Sequence, residues 1–206
     1  MEFPFFSYAV FLDLNTGVTL ESYTGTIQSM GLTKKNILIT GFPGVGKTTL
    51  IKKLTENPID LKPVGFYTEE IREKGIRKGF KLISLDGGEG ILSHVDVKSP
   101  YTVGKYKVDI DGFENFIDYI PFFDPTSSFI IIDEIGKMEC LSEKFKKLLK
   151  EILDSEKVLV ATIALKGGGF IEEIKKRDDI KLFEMKQDNR ESLLFEILRN
   201  IKTLIP

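Results

Sequence analysis

The sequence predicts an α/β fold, a mostly parallel sheet with helices on both faces and an inserted antiparallel hairpin region. Three observations carry this. A glycine-rich loop, "GFPGVGKT" (Gly41–Thr48), sits between a short apolar run and an amphipathic stretch. From Asn36 onward, apolar runs of strand length alternate with segments of helical period, the pattern of a sheet covered on both sides. Between Arg72 and Val97 the alternation is broken by Gly75, Gly79, Gly87, Gly88 and Gly90, which reads as hairpins rather than another crossover.

The elements follow in order. "NILIT" (Asn36–Thr40) is a buried strand, and "KTTLIKKLTEN" (Lys47–Asn57) a helix with Leu50, Ile51 and Leu54 on one face, ended by Pro58. "VGFYTEEI" (Val64–Ile71) is a strand, followed by the hairpins. "DGFENFIDYI" (Asp111–Ile120) reads as a helix capped by Asp111 with Glu114 three residues on. "SFIIID" (Ser128–Asp133) is a strand, "LSEKFKKLLKEILDS" (Leu141–Ser155) an amphipathic helix and "KVLVATI" (Lys157–Ile163) a strand. "GGFIEEIKKRDD" (Gly168–Asp179) is read as a helix, "IKLFEM" (Ile180–Met185) as a strand, and "DNRESLLFEILRNIKTL" (Asp188–Leu204) as a last helix with Asp188 and Glu191 spaced as a capping box. Residues 1–33 differ: rich in Phe, Thr and Ser, they are set apart as an N-terminal extension, and residues 34–206 as the main domain. The extension reads as an accessory hairpin turning at "LNTG" (Leu14–Gly17), a disordered tail, or the product of a start placed upstream of Met30.

Composition narrows the function classes. The 206 residues are 42% apolar and 29% charged with net charge −2; an extended nucleic-acid surface would show as a basic surplus. Cys140 is the only cysteine, so no intrachain disulfide forms. No basic-then-apolar leader and no apolar run of about 18 residues is evident. The expectation is a cytoplasmic protein with no membrane contact, acting as a monomer.

Chemistry enters with the glycine loop, which matches G-x-x-x-x-G-K-[ST], the phosphate-binding P-loop. Gly41, Gly44 and Gly46 permit backbone turns that side chains block, so the amides of a loop also containing Phe42, Pro43 and Val45 form a nest for phosphate oxygens. The helix starting near Lys47 adds its positive end. Lys47 is assigned to the β- and γ-phosphates, Thr48 to Mg2+, and Thr49 to the α-phosphate. "FIIIDEIGKMEC" (Phe129–Cys140) supplies the other half: Asp133 emerges at a strand's C-terminal end to hold Mg2+. Glu134 follows directly, placed to orient or deprotonate a water, which favours hydrolysis over a switch. Gly136, in the turn that follows, joins the nucleotide-binding set with Arg190. Lys47 and Asp133 lie 86 positions apart, leaving room for a strand between theirs. Glu69 or Glu70 is a second candidate to position water, Lys137 a candidate to neutralise the γ-phosphate, Thr162 to sense it, and Lys166 to touch the base; His94 and Cys140 read as structural.

Together "GFPGVGKTTLIKK", "GFYTEEIR", "VGKYKVDIDGFE", "IIIDEIGKME" and "DNRESLL", in this order and spacing, resemble the small nucleoside-triphosphatase family first known from thermophiles, which includes the cancer-related nucleoside-triphosphatase of animals. The resemblance covers about Asn36 to Leu204, and residues 1–31 depart from it. It implies a RecA-like fold and slow, Mg2+-dependent hydrolysis of ATP, GTP, CTP, UTP and their deoxy forms to diphosphate and phosphate. Two rivals remain. A nucleoside or nucleotide kinase would clamp an acceptor with arginines, for which Arg72 and Arg77 are available among the chain's five. A GTPase-like switch would need N-K-x-D, and "KKRD" (Lys175–Asp178) lacks the Asn.

Overall fold

The structure, a computed structural model, describes residues 34–56 and 62–205. The predicted features of the extension, and the helix stop at Asn57–Pro58, lie outside them. Nine strands form one sheet in the order β5-β6-β4-β3-β2-β7-β8-β1-β9. β1 (Asn36–Thr40), β8 (Val158–Ile163), β9 (Ile180–Glu184), β7 (Phe129–Ile135) and the first half of β2 (Pro63–Glu73) run parallel. From Phe66 on, β2 pairs antiparallel with β3 (Ile76–Ser84), which pairs with β4 (Glu89–His94) and then the short β6 (Tyr106–Val108) and β5 (Thr102–Val103). The glycine-punctuated stretch therefore does form hairpins. They extend the sheet on the β2 side, where β2 runs on to Glu73 past its last pairing with β7 at Phe66–Ile132.

Strand periodicity divides the core. Side chains of alternate residues face opposite sides of a sheet. Leu38, Ile130, Ile132, Leu159 and Ala161 pack with α2 (Ile110–Asp118), α3 (Glu143–Asp154) and α4 (Phe170–Lys175) through Phe113, Phe145, Leu149, Ile152 and Ile174. Ile37, Ile39, Ile131 and Val160 pack on the other face with α1 (Lys47–Thr55) and α5 (Arg190–Leu204), through Leu50, Ile51, Leu54, Leu193 and Ile197. β7 is apolar on both faces because it is covered on both.

Several local expectations are corrected. The cap of α2 is Asp109, whose side chain accepts from the Gly112 amide at 3.0 Å. Asp111 lies within the first turn, and Glu114 instead accepts the Ser142 hydroxyl at 2.6 Å. Ser142 caps α3 through the Phe145 amide at 3.0 Å, so Leu141 precedes that helix. α4 ends at Lys175 rather than Asp179, because Arg177 turns away to pair with Asp154 and Asp179. At α5 no capping box forms. The residue before the helix is Asn189, whose side-chain Oδ1 accepts from the Lys186 amide and whose Nδ2 donates to the Glu184 carbonyl. The strand between β1 and β7 is β8, from downstream of Asp133; the strands that lie in sequence between Lys47 and β7, β2 to β6, all stand on the other side of β7.

Candidate functional site

β1 ends at Thr40, where the Met185 amide donates to its carbonyl at 2.7 Å. The chain then turns through Gly41, where a Cβ would lie 2.6 Å from the Met185 carbonyl oxygen. Gly46 closes the loop at φ 103°, a left-handed conformation in which a side chain is strained. Val45 is buried beneath the loop and Phe42 is 66% exposed above it. Val45 N–H donates to the Phe42 carbonyl, and Leu50 N–H to that of Gly46. The amides of Gly44, Gly46, Lys47 and Thr48 have no backbone acceptor among the described residues. They form a ring of donors at the positive end of α1, the chemistry of a phosphate nest. Lys47 Nζ donates to the Gly41 carbonyl at 3.2 Å, which holds its charge over this nest.

The carboxylates come to the loop from β7. Asp133, 1% exposed, accepts the Thr48 hydroxyl on Oδ2 at 2.6 Å and the Thr162 hydroxyl on Oδ1 at 2.5 Å. Residues 85 and 29 positions away thus fix one carboxylate. Burial pushes its pKa upward, against the pull of the two hydroxyls and Lys47. Glu134, only partly exposed, is also raised, first by burial and then by Asp133, while Lys47 opposes the shift. Glu134 opens onto a cavity of about 240 Å3 whose lining includes Thr68, Phe80, Gly136, Lys137 and Lys166. Leu92 and Val103, from β4 and β5, also line it, so the hairpins contribute to its wall.

Other expectations fare unevenly. Lys137 and Lys166 both line the Glu134 cavity. Thr162 donates its only hydroxyl proton to Asp133, which corrects the expected contact with a γ-phosphate. Glu69 is tied to Lys52 and Lys81, which hold its carboxyl below the usual range, and Glu70 likewise to Arg77 and Arg72. Both lie within β2, not beyond a strand end, and neither faces the cavity as a free acid. The same pairing occupies Arg72 and Arg77, the arginines an acceptor would need. Arg190 lies beside the loop: a Cβ on Gly46 would be 3.9 Å from its Nε, and Thr49 and Met185 line the same recess. Burial raises the Cys140 thiol to about 12, so it is no nucleophile at neutral pH. His94 accepts the Asp96 amide at 3.2 Å, a local turn contact.

Sequence reasoning missed Glu139. Its carboxyl is 5% exposed, accepts the Gly136 amide at 3.1 Å, and is raised to about 8, chiefly by burial and then by the Glu134 charge. An acid set between Met138 and Cys140, close after the Asp133–Glu134 pair, was its available signal.

Thr48 and Asp133 form a pair of hard oxygen donors, and among the described residues no cluster of three or more His, Cys, Asp or Glu could hold a metal alone. That set fits Mg2+, which takes few protein ligands and completes its shell with phosphates and waters. Among the described residues no helix is long and apolar enough to cross a membrane.

The model of a family described as NTPase matches residues 36–198. The nucleoside-triphosphatase THEP1 of Thermotoga sp. (strain RQ2) is 53% identical, over 81% of this chain and 95% of its own. The human cancer-related nucleoside-triphosphatase is 36% identical, over 82% and 97% respectively. The crystal structure of THEP1 from Aquifex aeolicus superposes with a TM-score of 0.70 at 36% identity, covering 81% of this chain and 98% of that one. The phosphate nest, the acid pair at the end of β7 and these likenesses lead to one conclusion: the chain belongs to the NTPase family of nucleoside-triphosphatases.

Proposed function

We propose that the protein hydrolyses nucleoside triphosphates to diphosphate and phosphate, with Mg2+ and with broad tolerance of the base. The observation that carries this reading is the station of Glu134: next to the buried Asp133, within electrostatic reach of Lys47, and open to a cavity lined by hairpin residues. The loop amides and Lys47 grip the triphosphate tail. Thr48 and Asp133 hold Mg2+, which when bound neutralises charge on the phosphate oxygens. Glu134 accepts a proton from a water as the water oxygen bonds to the γ-phosphorus. The bond from that phosphorus to the β–γ bridging oxygen breaks, and diphosphate leaves. Lys137, which lines the same cavity as Glu134, is assigned to offset charge on the γ-phosphate.

Base tolerance is supported by the fate of the "KKRD" stretch. Lys175 donates to the Leu165 carbonyl and pairs with Glu172, and Arg177 pairs with Asp154 and Asp179. These groups are occupied in holding the fold. Arg190, beside Gly46 and Thr49, is assigned to a nucleotide contact that reads no particular base.

The test is phosphate release from ATP, GTP, CTP and UTP with Mg2+ on the parent and on Glu134→Gln. Comparable rates are expected for all four nucleotides. The substitution should leave nucleotide binding in place while turnover falls roughly 100-fold or more, the scale of losing a general base. Near-parental turnover in Glu134→Gln would move the base elsewhere.

A further inference from the structure

Glu139 has no task in the hydrolysis above, yet it is held with care. After β7 the chain turns through Gly136 and Met138 into a single 3₁₀ turn, Glu139–Leu141. Gly136 is tied to that turn at both ends: its amide donates to Glu139 Oε2 at 3.1 Å, and its carbonyl accepts from the Cys140 amide at 3.1 Å. Among the described residues no cation pairs with the carboxyl. The groups that act on it are backbone amides and the carboxylates of Glu134 and Asp133. A buried carboxyl with only amides for company lowers stability relative to an apolar side chain of similar size. Filling space is therefore a poor account of it.

Geometry offers a better one. A Cβ on Gly136 would lie 2.8 Å from Glu139 Oε2 and 3.6 and 3.7 Å from Cγ and Cδ of Glu134. The two acids press on the same face of one glycine. The Glu134 side chain is limited by Gly136, and Gly136 by the hydrogen bond to Glu139. The three residues also line one wall of the cavity into which Glu134 opens.

We propose that Glu139 is a positioning residue: by holding the Gly136 amide it fixes the turn against which the Glu134 side chain packs, and so aims Glu134 at the attacking water. The inference rests on the reading of Glu134 given above. Aim matters because a misplacement of about 1 Å can lower a rate on the order of 100-fold without weakening binding. A positioning role should therefore appear in kcat and not in KM.

The experiment uses the full chain with Mg2+ and ATP, and measures kcat, KM and thermal unfolding for Glu139→Gln, Glu139→Ala and Glu134→Gln. The glutamine keeps a carbonyl oxygen of the same reach for the Gly136 amide, and its kcat should stay within about 3-fold of the parent. The alanine removes the acceptor, and its kcat should fall roughly 10-fold or more with KM within about 2-fold. Should Glu139→Ala fail to fold, Gly136→Ala disturbs the same contact from the other side and should show the same kcat-selective loss. The proposal is overturned by parental kcat in Glu139→Ala or Gly136→Ala, by KM rising in step with the loss of kcat, or by a glutamine variant as slow as the alanine. Slow Glu134→Gln beside fast Glu139 variants would end the positioning role and leave Glu134 as the base. Full-rate Glu134→Gln would end both.

Discussion

Replacing Thr162 by Val removes one hydroxyl and almost no volume at a fully buried position on β8. Asp133 is fixed from both sides, by Thr48 at 2.6 Å and Thr162 at 2.5 Å. The substitution leaves Oδ1 without its side-chain donor in a place water does not reach. A hydrogen bond to a charged group contributes about 1.5–3 kcal/mol, and stranding a buried acceptor has a cost of similar size. The expected loss is therefore about 2 kcal/mol. In a domain of this size that lowers Tm by roughly 4–8 °C, readable by circular dichroism without nucleotide. A second readout is the Mg2+ concentration for half-maximal phosphate release. With one fewer contact Asp133 is less well oriented, and this concentration should rise several-fold while kcat at saturating Mg2+ changes little. A hydroxyl serving the γ-phosphate would give the opposite pattern, a lower kcat at an unchanged Mg2+ requirement. A variant that melts within 1 °C of the parent, by the same relation between stability and Tm, would refute the reasoning.

Three further outcomes follow from the same geometry. Glu139 rises from the ordinary 4.5 to about 8 on folding, so the folded chain binds a proton here that the unfolded chain releases across that interval. Its stabilising effect is complete below about pH 4.5 and lost as pH rises through about 8, an upper bound of roughly 5 kcal/mol. Tm should fall across this window in the parent and fall less steeply in Glu139→Gln, and equal slopes would contradict the shift. Ser142→Ala removes the α3 cap and the partner of Glu114 together and should lower unfolding stability by about 1–2 kcal/mol in urea; an unchanged midpoint would refute the cap. Arg190→Ala, beside Gly46, should weaken nucleotide binding roughly 10-fold with kcat retained, the scale of one charge-assisted hydrogen bond. A loss confined to kcat would place Arg190 at the reacting phosphate instead.

Much of the site was legible because its parts are local. The glycine loop needs particular backbone conformations at neighbouring positions, and Asp133 and Glu134 need a buried strand directly before them, so each half is written in a dozen consecutive residues. The strands and long helices were legible for a similar reason, since their apolar periods repeat over several residues. Helix ends were less so. Asp109 and Asp111 are both plausible caps by spacing, and the choice falls to the one whose side chain meets the Gly112 amide. Glu69 and Glu70 looked like free acids because the partners that neutralise them, Lys52, Lys81, Arg72 and Arg77, arrive through α1 and the hairpin.

The sequence by itself determined that a glycine-rich loop and two adjacent acids exist, and that a mostly parallel sheet carries them. Tertiary structure alone decided that β8 enters between β1 and β7, which brings Thr162 to Asp133 and leaves its hydroxyl no proton to spare. It alone buried Glu139 and brought Phe80, Leu92 and Val103 of the hairpins to the cavity onto which Glu134 opens. The physical reason is range. Backbone conformation and hydrophobic period act over a few residues, whereas the burial and charge that fix a side chain's role come from segments tens of positions away.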